Sequence, residues 1–183
     1  MSPLAQELPG FDEPLRVIHA CHVRMELRCA LLVRLCGHLC TEGYDEPARK
    51  TADAVLRYFD DAGTKHHEDE EINLFPELLA AVPPAGQAFV SKIIDGLIEQ
   101  HREMEAIYAQ LRPMLVALTL GEPVQLDPSL CDRLQTIYIE HIAIEEHELL
   151  PLASDHLDAE AIERLGVAMA TRRNVAFTPA PRR

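Results

Sequence analysis

Glycine is scarce in this chain, 8 in 183 residues, and the long stretches between prolines show no strand-like alternation of apolar and polar residues. Both absences argue against sheet, while abundant Ala, Leu and Glu favour helix. Positive charge is also short: 17 Lys and Arg face 30 Asp and Glu, for a formal net charge of −13. A phosphate backbone would be repelled rather than neutralised, which excludes nucleic acid as a partner. Cation binding suits the same charge. No basic segment followed by an apolar run opens the chain, so no secretory leader is expected. No apolar stretch approaches the ~20 residues that cross a bilayer, so no membrane span is expected. The five cysteines (Cys21, Cys29, Cys36, Cys40, Cys131) are odd in number and form no Cys-x-x-Cys. They read as reduced thiols of a cytoplasmic protein, not as a disulfide framework or a zinc knuckle.

What is present is helical punctuation. Asp12, as a capping candidate, and Pro14 open a first helix that reaches about residue 40. A second starts around Pro47 and should kink or end at Pro76. "PPAG" (83–86) is the clearest break; a third helix covers roughly 85–118 and a fourth about 128–152. The short connections make sequential helices antiparallel neighbours. The expected fold is therefore all-α, an up-down-up-down four-helix bundle with an extra C-terminal helix. Residues 1–11 form an N-terminal segment, 12–152 the bundle, 153–173 the additional helix and 174–183 a disordered tail.

Two segments repeat. "HHEDEEINLFP" (66–76) and "HIAIEEHELLP" (141–151) align without a gap, with His first, Glu at +4 and +5, an apolar residue at +8 and Pro at +10. Residues i and i+4 share a helix face, so such a His and Glu can ligate one ion, or one each of two adjacent ions. The other two long helices offer His22 with Glu26 and His101 with Glu105.

The four histidines also share a level. His22 and His66 lie 22 residues either side of a turn near residue 44. His66 and His101 lie 18 and 17 residues from the break near 84, and His101 and His141 lie 20 either side of residue 121. Between antiparallel helices, equal counts mean equal height, at ~1.5 Å per residue. A solvated charge cluster has no reason to keep this registry. Helical steps from these histidines reach mostly apolar residues, among them Ile18, Met25, Phe59, Leu97, Met104, Leu134 and Ile137. The imidazoles therefore face the core, where a buried His or Glu needs a partner or a metal. A ferritin-like site is disfavoured, because no histidine has Glu three residues before it.

At His22, His66 with Glu70, His101, and His141 with Glu145, the chain resembles the hemerythrin family, more closely its bacterial hemerythrin-like (HHE cation-binding) branch, over about residues 12–152. The resemblance implies a non-haem di-iron centre, two ions per chain, with histidines as terminal ligands and Glu70 and Glu145 as bridges. Zinc or manganese at the same residues is the alternative. Glu26 and Glu105 are further ligands or acceptors for ring N–H groups. Glu105 stands where oxygen carriers of the family have a second histidine, and Glu145 or Glu146 where they have Asp. A site richer in carboxylate is harder and stabilises ferric iron. That turns the reading from reversible carriage to binding or sensing of O2, NO or iron and redox state. The alternative is a redox enzyme acting on peroxide or NO, or in iron-centre repair. The partners implied are small diatomic ligands or oxidants and a second copy in a homodimer. Glu68, Asp69, Glu71, Glu146 and Glu148 read as a solvated face, so loss of Glu71 should leave the metal in place; His19, His67 and His147 read as surface or interhelix residues.

Overall fold

The structure is a computed structural model that describes residues 9–178. Among these there are helices and no strands. Helix α1 is Pro14–Thr41. Helix α2 spans 46–81 as one continuous rod: α-helix Glu46–Arg57, a π-helical stretch Tyr58–Gly63, α-helix Thr64–Glu68, a second π-helical stretch Asp69–Leu74, and α-helix Phe75–Ala81. Helix α3 is Pro84–Thr119. Helix α4 spans 128–156 as Pro128–Ile144, a π-helical Glu145–Leu149 and Leu150–His156. Helix α5 is Ala159–Arg172.

The helix starts are chemically marked. The Asp45, Asp127 and Asp158 side chains accept the free amides of Ala48, Ser129 and Ala161, each at 2.8 Å. Asp12 does not cap α1; Glu13 stands at that position and makes no side-chain cap bond. Gly43, with φ 83°, closes α1 by letting the chain turn left-handed while the Glu42 and Gly43 amides bond the His38 carbonyl.

Each of α1 and α3 packs against both α2 and α4, which places the two repeat-bearing helices on opposite corners. The expected four-helix bundle with an added helix is what the chain forms.

Pro76 does not end α2. The preceding turn is wide: the Phe75 amide bonds the Glu70 carbonyl, five residues back. A proline ring clashes with the carbonyl four residues before it in a regular α-helix, and a widened turn relieves that crowding. The same device recurs in α4, where the Leu150 amide bonds the Glu145 carbonyl just before Pro151. Consequently α4 runs on to His156, past the boundary expected at 152. Pro113 likewise sits inside α3 without ending it.

The core has two parts. One, from Met25 to Leu39 on α1 together with Phe59, Met104, Leu111, Leu115, Leu134 and Tyr138, fills the end of the bundle away from α5. The other holds Val17, Ile18, Leu74, Phe75, Leu78, Leu97 and Leu149, and includes Leu165 and Met169 of α5. Between the two lies a layer of buried His and Glu.

Of the expected disordered tail, 179–183 lie outside the described residues, as do 1–8 of the N-terminal segment. Residues 174–178 are described: Asn174, with φ 53°, turns the chain, and Phe177 meets Phe11 edge-on at 6.1 Å. A short aromatic contact thus ties down residues that polar composition alone leaves free.

Helix α5 sits so close to the start of α1 that a Cβ on Gly166 would lie 2.0 Å from the Phe11 carbonyl oxygen. Gly166→Ala should lower unfolding free energy by about 1–3 kcal/mol through overpacking. Urea denaturation checks this, and an unchanged midpoint would show that the helix can shift without cost.

Candidate metal centre

The layer between the cores contains His22 from α1, His66 and Glu70 from α2, His101 from α3, and His141 and Glu145 from α4, all with at most 1% exposure. Glu70 turns one oxygen to each side. Its Oε1 lies 2.8 Å from His66 Nε2 and 3.8 Å from His22 Nε2, while Oε2 lies 3.4 Å from His101 Nε2. Glu145 Oε2 lies 2.9 Å from His22 Nε2 and 3.3 Å from His141 Nε2. Ligand atoms therefore gather in two groups, His22–His66–Glu70–Glu145 and Glu70–His101–His141–Glu145, each within 4.8 Å, and the groups share both carboxylates.

Apart from His101 Nε2 and His141 Nε2, which pair at 3.1 Å, these atoms are close without being hydrogen-bonded. His22 Nε2, both nitrogens of His66 and all four carboxylate oxygens of Glu70 and Glu145 are buried with no hydrogen-bond partner. Buried polar atoms rarely go unpaired, because desolvation is costly. Here they converge on common points rather than on one another, as ligands of a cation do. Imidazole and carboxylate together suit iron, zinc or manganese.

The charges agree. Burial opposes a charge on His22, yet Glu145, Glu146 and Glu70 outweigh it and raise its pKa to about 12. Burial likewise opposes His66, and Glu70 raises it to about 10. Burial and the neighbouring Glu70 charge disfavour ionisation of Glu145, but His141 and His22 hold it down at about 2. Protons on the imidazoles thus balance the carboxylates, and a bound cation would take over that role and release them.

Three of the four imidazoles are braced on their outer side from the next helix. His22 Nδ1 bonds Glu146 at 2.5 Å, His101 Nδ1 bonds Glu71 at 2.7 Å and His141 Nδ1 bonds Gln100 at 3.1 Å. Cys21 lies beside His66. The three braces run α2 to α3, α3 to α4 and α4 to α1. Such partners fix ring orientation and ligand basicity. Glu71 and Glu146 are therefore not merely a solvated face. Each bracing residue is the chain neighbour of one candidate ligand and serves the histidine of another helix, so the signal in the sequence was adjacency to the motif. Nothing in a single helix shows that reach.

Glu26 and Glu105 are exposed and belong to neither group. In an α-helix, +4 lies ~40° beyond i. Helices α1 and α3 are regular there, whereas wide turns begin at Asp69 and Glu145 and coincide with the inward carboxylates. His67 is buried and stacks on His101 with centroids 3.9 Å apart, beside the two groups rather than within them. Burial and the His101 charge push it well below the usual histidine value, so it stays neutral. Asp69, expected in solvent, is fully buried against α5.

Comparison with known proteins agrees with this geometry. The profile of the hemerythrin HHE cation binding domain matches residues 13–153. A Haemophilus influenzae protein described only as uncharacterized is 29% identical over 170 residues, covering 93% of this chain and 95% of its own. No helix among the described residues is long and apolar enough to cross a membrane. With three-quarters of its length matched and a buried His–Glu layer at the matched motifs, the chain belongs to the hemerythrin HHE cation-binding family.

Proposed function

We propose that this chain is a non-haem di-iron protein that binds or senses O2, NO or iron and redox state. The observation that carries the reading is the pair of four-residue groups sharing Glu70 and Glu145. A single ion needs one such group; two groups with common carboxylates suit two ions with two bridges. His66 and His22 would hold one ion, His101 and His141 the other. Bound iron would supply electrons to, or an open coordination position for, a small oxidant or diatomic ligand.

The protein's own part is to dry and shape the site. Phe75 stacks on His101 with centroids 6.2 Å apart, and Leu74, Met25 and Met104 are buried in the two apolar cores. A cavity of about 50 Å³, lined by Phe59, Gly63, His67, Met104, Tyr108 and Tyr138, reaches His67 on the far side of the His101 ring. A cavity of that size accommodates water or a diatomic molecule and excludes a bulky substrate. Two ligand histidines per ion and hard carboxylate bridges favour the ferric state over reversible carriage.

Purified protein loaded anaerobically with Fe(II) should hold about two irons per chain by metal analysis, consistent with two ligand groups. Exposure to air should raise ferric absorption bands that persist under vacuum. One zinc per chain, or no metal, would overturn the di-iron reading, and bands that vanish under vacuum would favour carriage.

Glu70→Ala and Glu145→Ala should each remove most of the iron, since each carboxylate belongs to both groups. Normal iron in both variants would refute the bridging assignment. Glu71→Ala and Glu146→Ala should each weaken binding by roughly 10–100-fold, as expected for partners that orient a ligand histidine. Competition with a ferrous chelator measures this, and wild-type affinity in both would show that the braces are incidental.

A further inference from the structure

Helix α5 lies beyond the residues that match the family profile, which end at 153. It nevertheless packs on the wide turn Asp69–Leu74 of α2 and on α1. The contact is polar and specific. Asp69 is fully buried, and each of its oxygens is taken by an arginine at the end of α5: Oδ1 by Arg172 and Oδ2 by Arg173 at 2.6 Å. Arg172 also reaches Asn73 Oδ1 at 2.9 Å and Glu68 Oε2 at 3.0 Å. One guanidinium thus spans residues 68, 69 and 73, both ends of the wide turn. Arg173 lies in addition over the Phe11 ring, 5.9 Å from its centroid, and its aliphatic neighbours Leu165 and Met169 are buried against the bundle.

The buried carboxylate is the chain neighbour of Glu70. Helix geometry sends adjacent side chains ~100° apart, so Asp69 faces α5 while Glu70 faces the interior. The wide turn itself closes on the Glu70 carbonyl. A turn of this kind is a weak point of a helix ladder, and a planar guanidinium fork is the side chain that best fixes a carboxylate in one orientation. Helix α4 carries the corresponding wide turn at Glu145, and no buried carboxylate of that turn other than Glu145 appears among the described residues.

We infer that α5 is part of the metal centre: Arg172 and Arg173 act through Asp69 as positioning residues that fix the wide turn and aim Glu70 inward. The inference rests on the metal-binding reading above. By reciprocity, a cation held by Glu70 stabilises the docked α5, so metal and helix each favour the other.

The test is chelator competition on the anaerobic Fe(II)-loaded full chain, with the ferric absorption spectrum recorded after air oxidation and helix content checked by circular dichroism. The Arg172→Gln/Arg173→Gln double variant and Asp69→Asn should each weaken iron binding by roughly 10–100-fold and shift the ferric bands, with helix content retained. An Arg172→Lys/Arg173→Lys pair keeps the charge without the fork and should fall between these and the wild type. Arg164→Gln removes the exposed α5 ion pair with Glu77 and should leave iron binding unchanged. Wild-type affinity and spectrum in both the Gln pair and Asp69→Asn would overturn the inference. So would an equal loss in Arg164→Gln, which would assign the effect to general docking of α5. A wild-type protein that takes up no metal would instead overturn the metal reading, and the inference with it.

Discussion

Two carboxylates at the centre of an apolar bundle set the terms for everything around them. Glu70 and Glu145 are fully buried, and an isolated ionised carboxylate in such a place costs far more than a domain's whole margin of stability. Positive charge must therefore come to them. The neighbouring carboxylates hold His22, His66 and His101 toward the protonated form, and a bound cation would take the place of those protons. The helices must be long enough to reach the layer, level enough to meet in it, and dry enough on both sides to make the charge matter. The two apolar cores, above and below, satisfy the last condition.

Aiming the carboxylates needs more than a regular helix. The ordinary α-turn carries Glu26 and Glu105 out to solvent, although each stands four residues after a buried histidine. In α2 and α4, the turn widens where the inward glutamate sits, and a proline follows directly. The wide turn, the proline and the inward carboxylate are thus one local device used twice. The copy in α2 is tied to the arginines of α5; the copy in α4 has its next residue, Glu146, turned to His22. Equivalent turns are held by different means.

The fold and the six central residues were legible in the sequence because they obey periodicity and counting. Helix ends were marked by Asp, Pro and Gly, and the level of the four histidines followed from equal distances to the turns. What was not legible depends on approach between helices. Glu71 and Glu146 looked like members of a solvated run, and only the neighbouring helix shows that each meets a histidine. Asp69 looked the same, and its burial is decided by α5, about a hundred residues later. The path of α2 through Pro76 was hidden for another reason: propensity rules describe the α-turn, and the chain leaves it there.

The three braces between helices have a consequence for how the chain can change over generations. His22, His101 and His141 are each steadied by a residue one step from a ligand on the adjoining helix, so these parts of the site are not autonomous. The loop 120–127 is itself tied in: Leu126 is buried in the core, and Gln125 Nε2 donates to the Leu39 carbonyl. A single residue inserted just after His101 would leave His101 in place and displace Met104 and the core residues beyond it. One inserted between Gln100 and His101 would turn Gln100 away by ~100°, leaving His141 unsteadied while every ligand remained present. Lineages descended from such an insertion would keep the recognisable motif intact and lose the geometry beneath it.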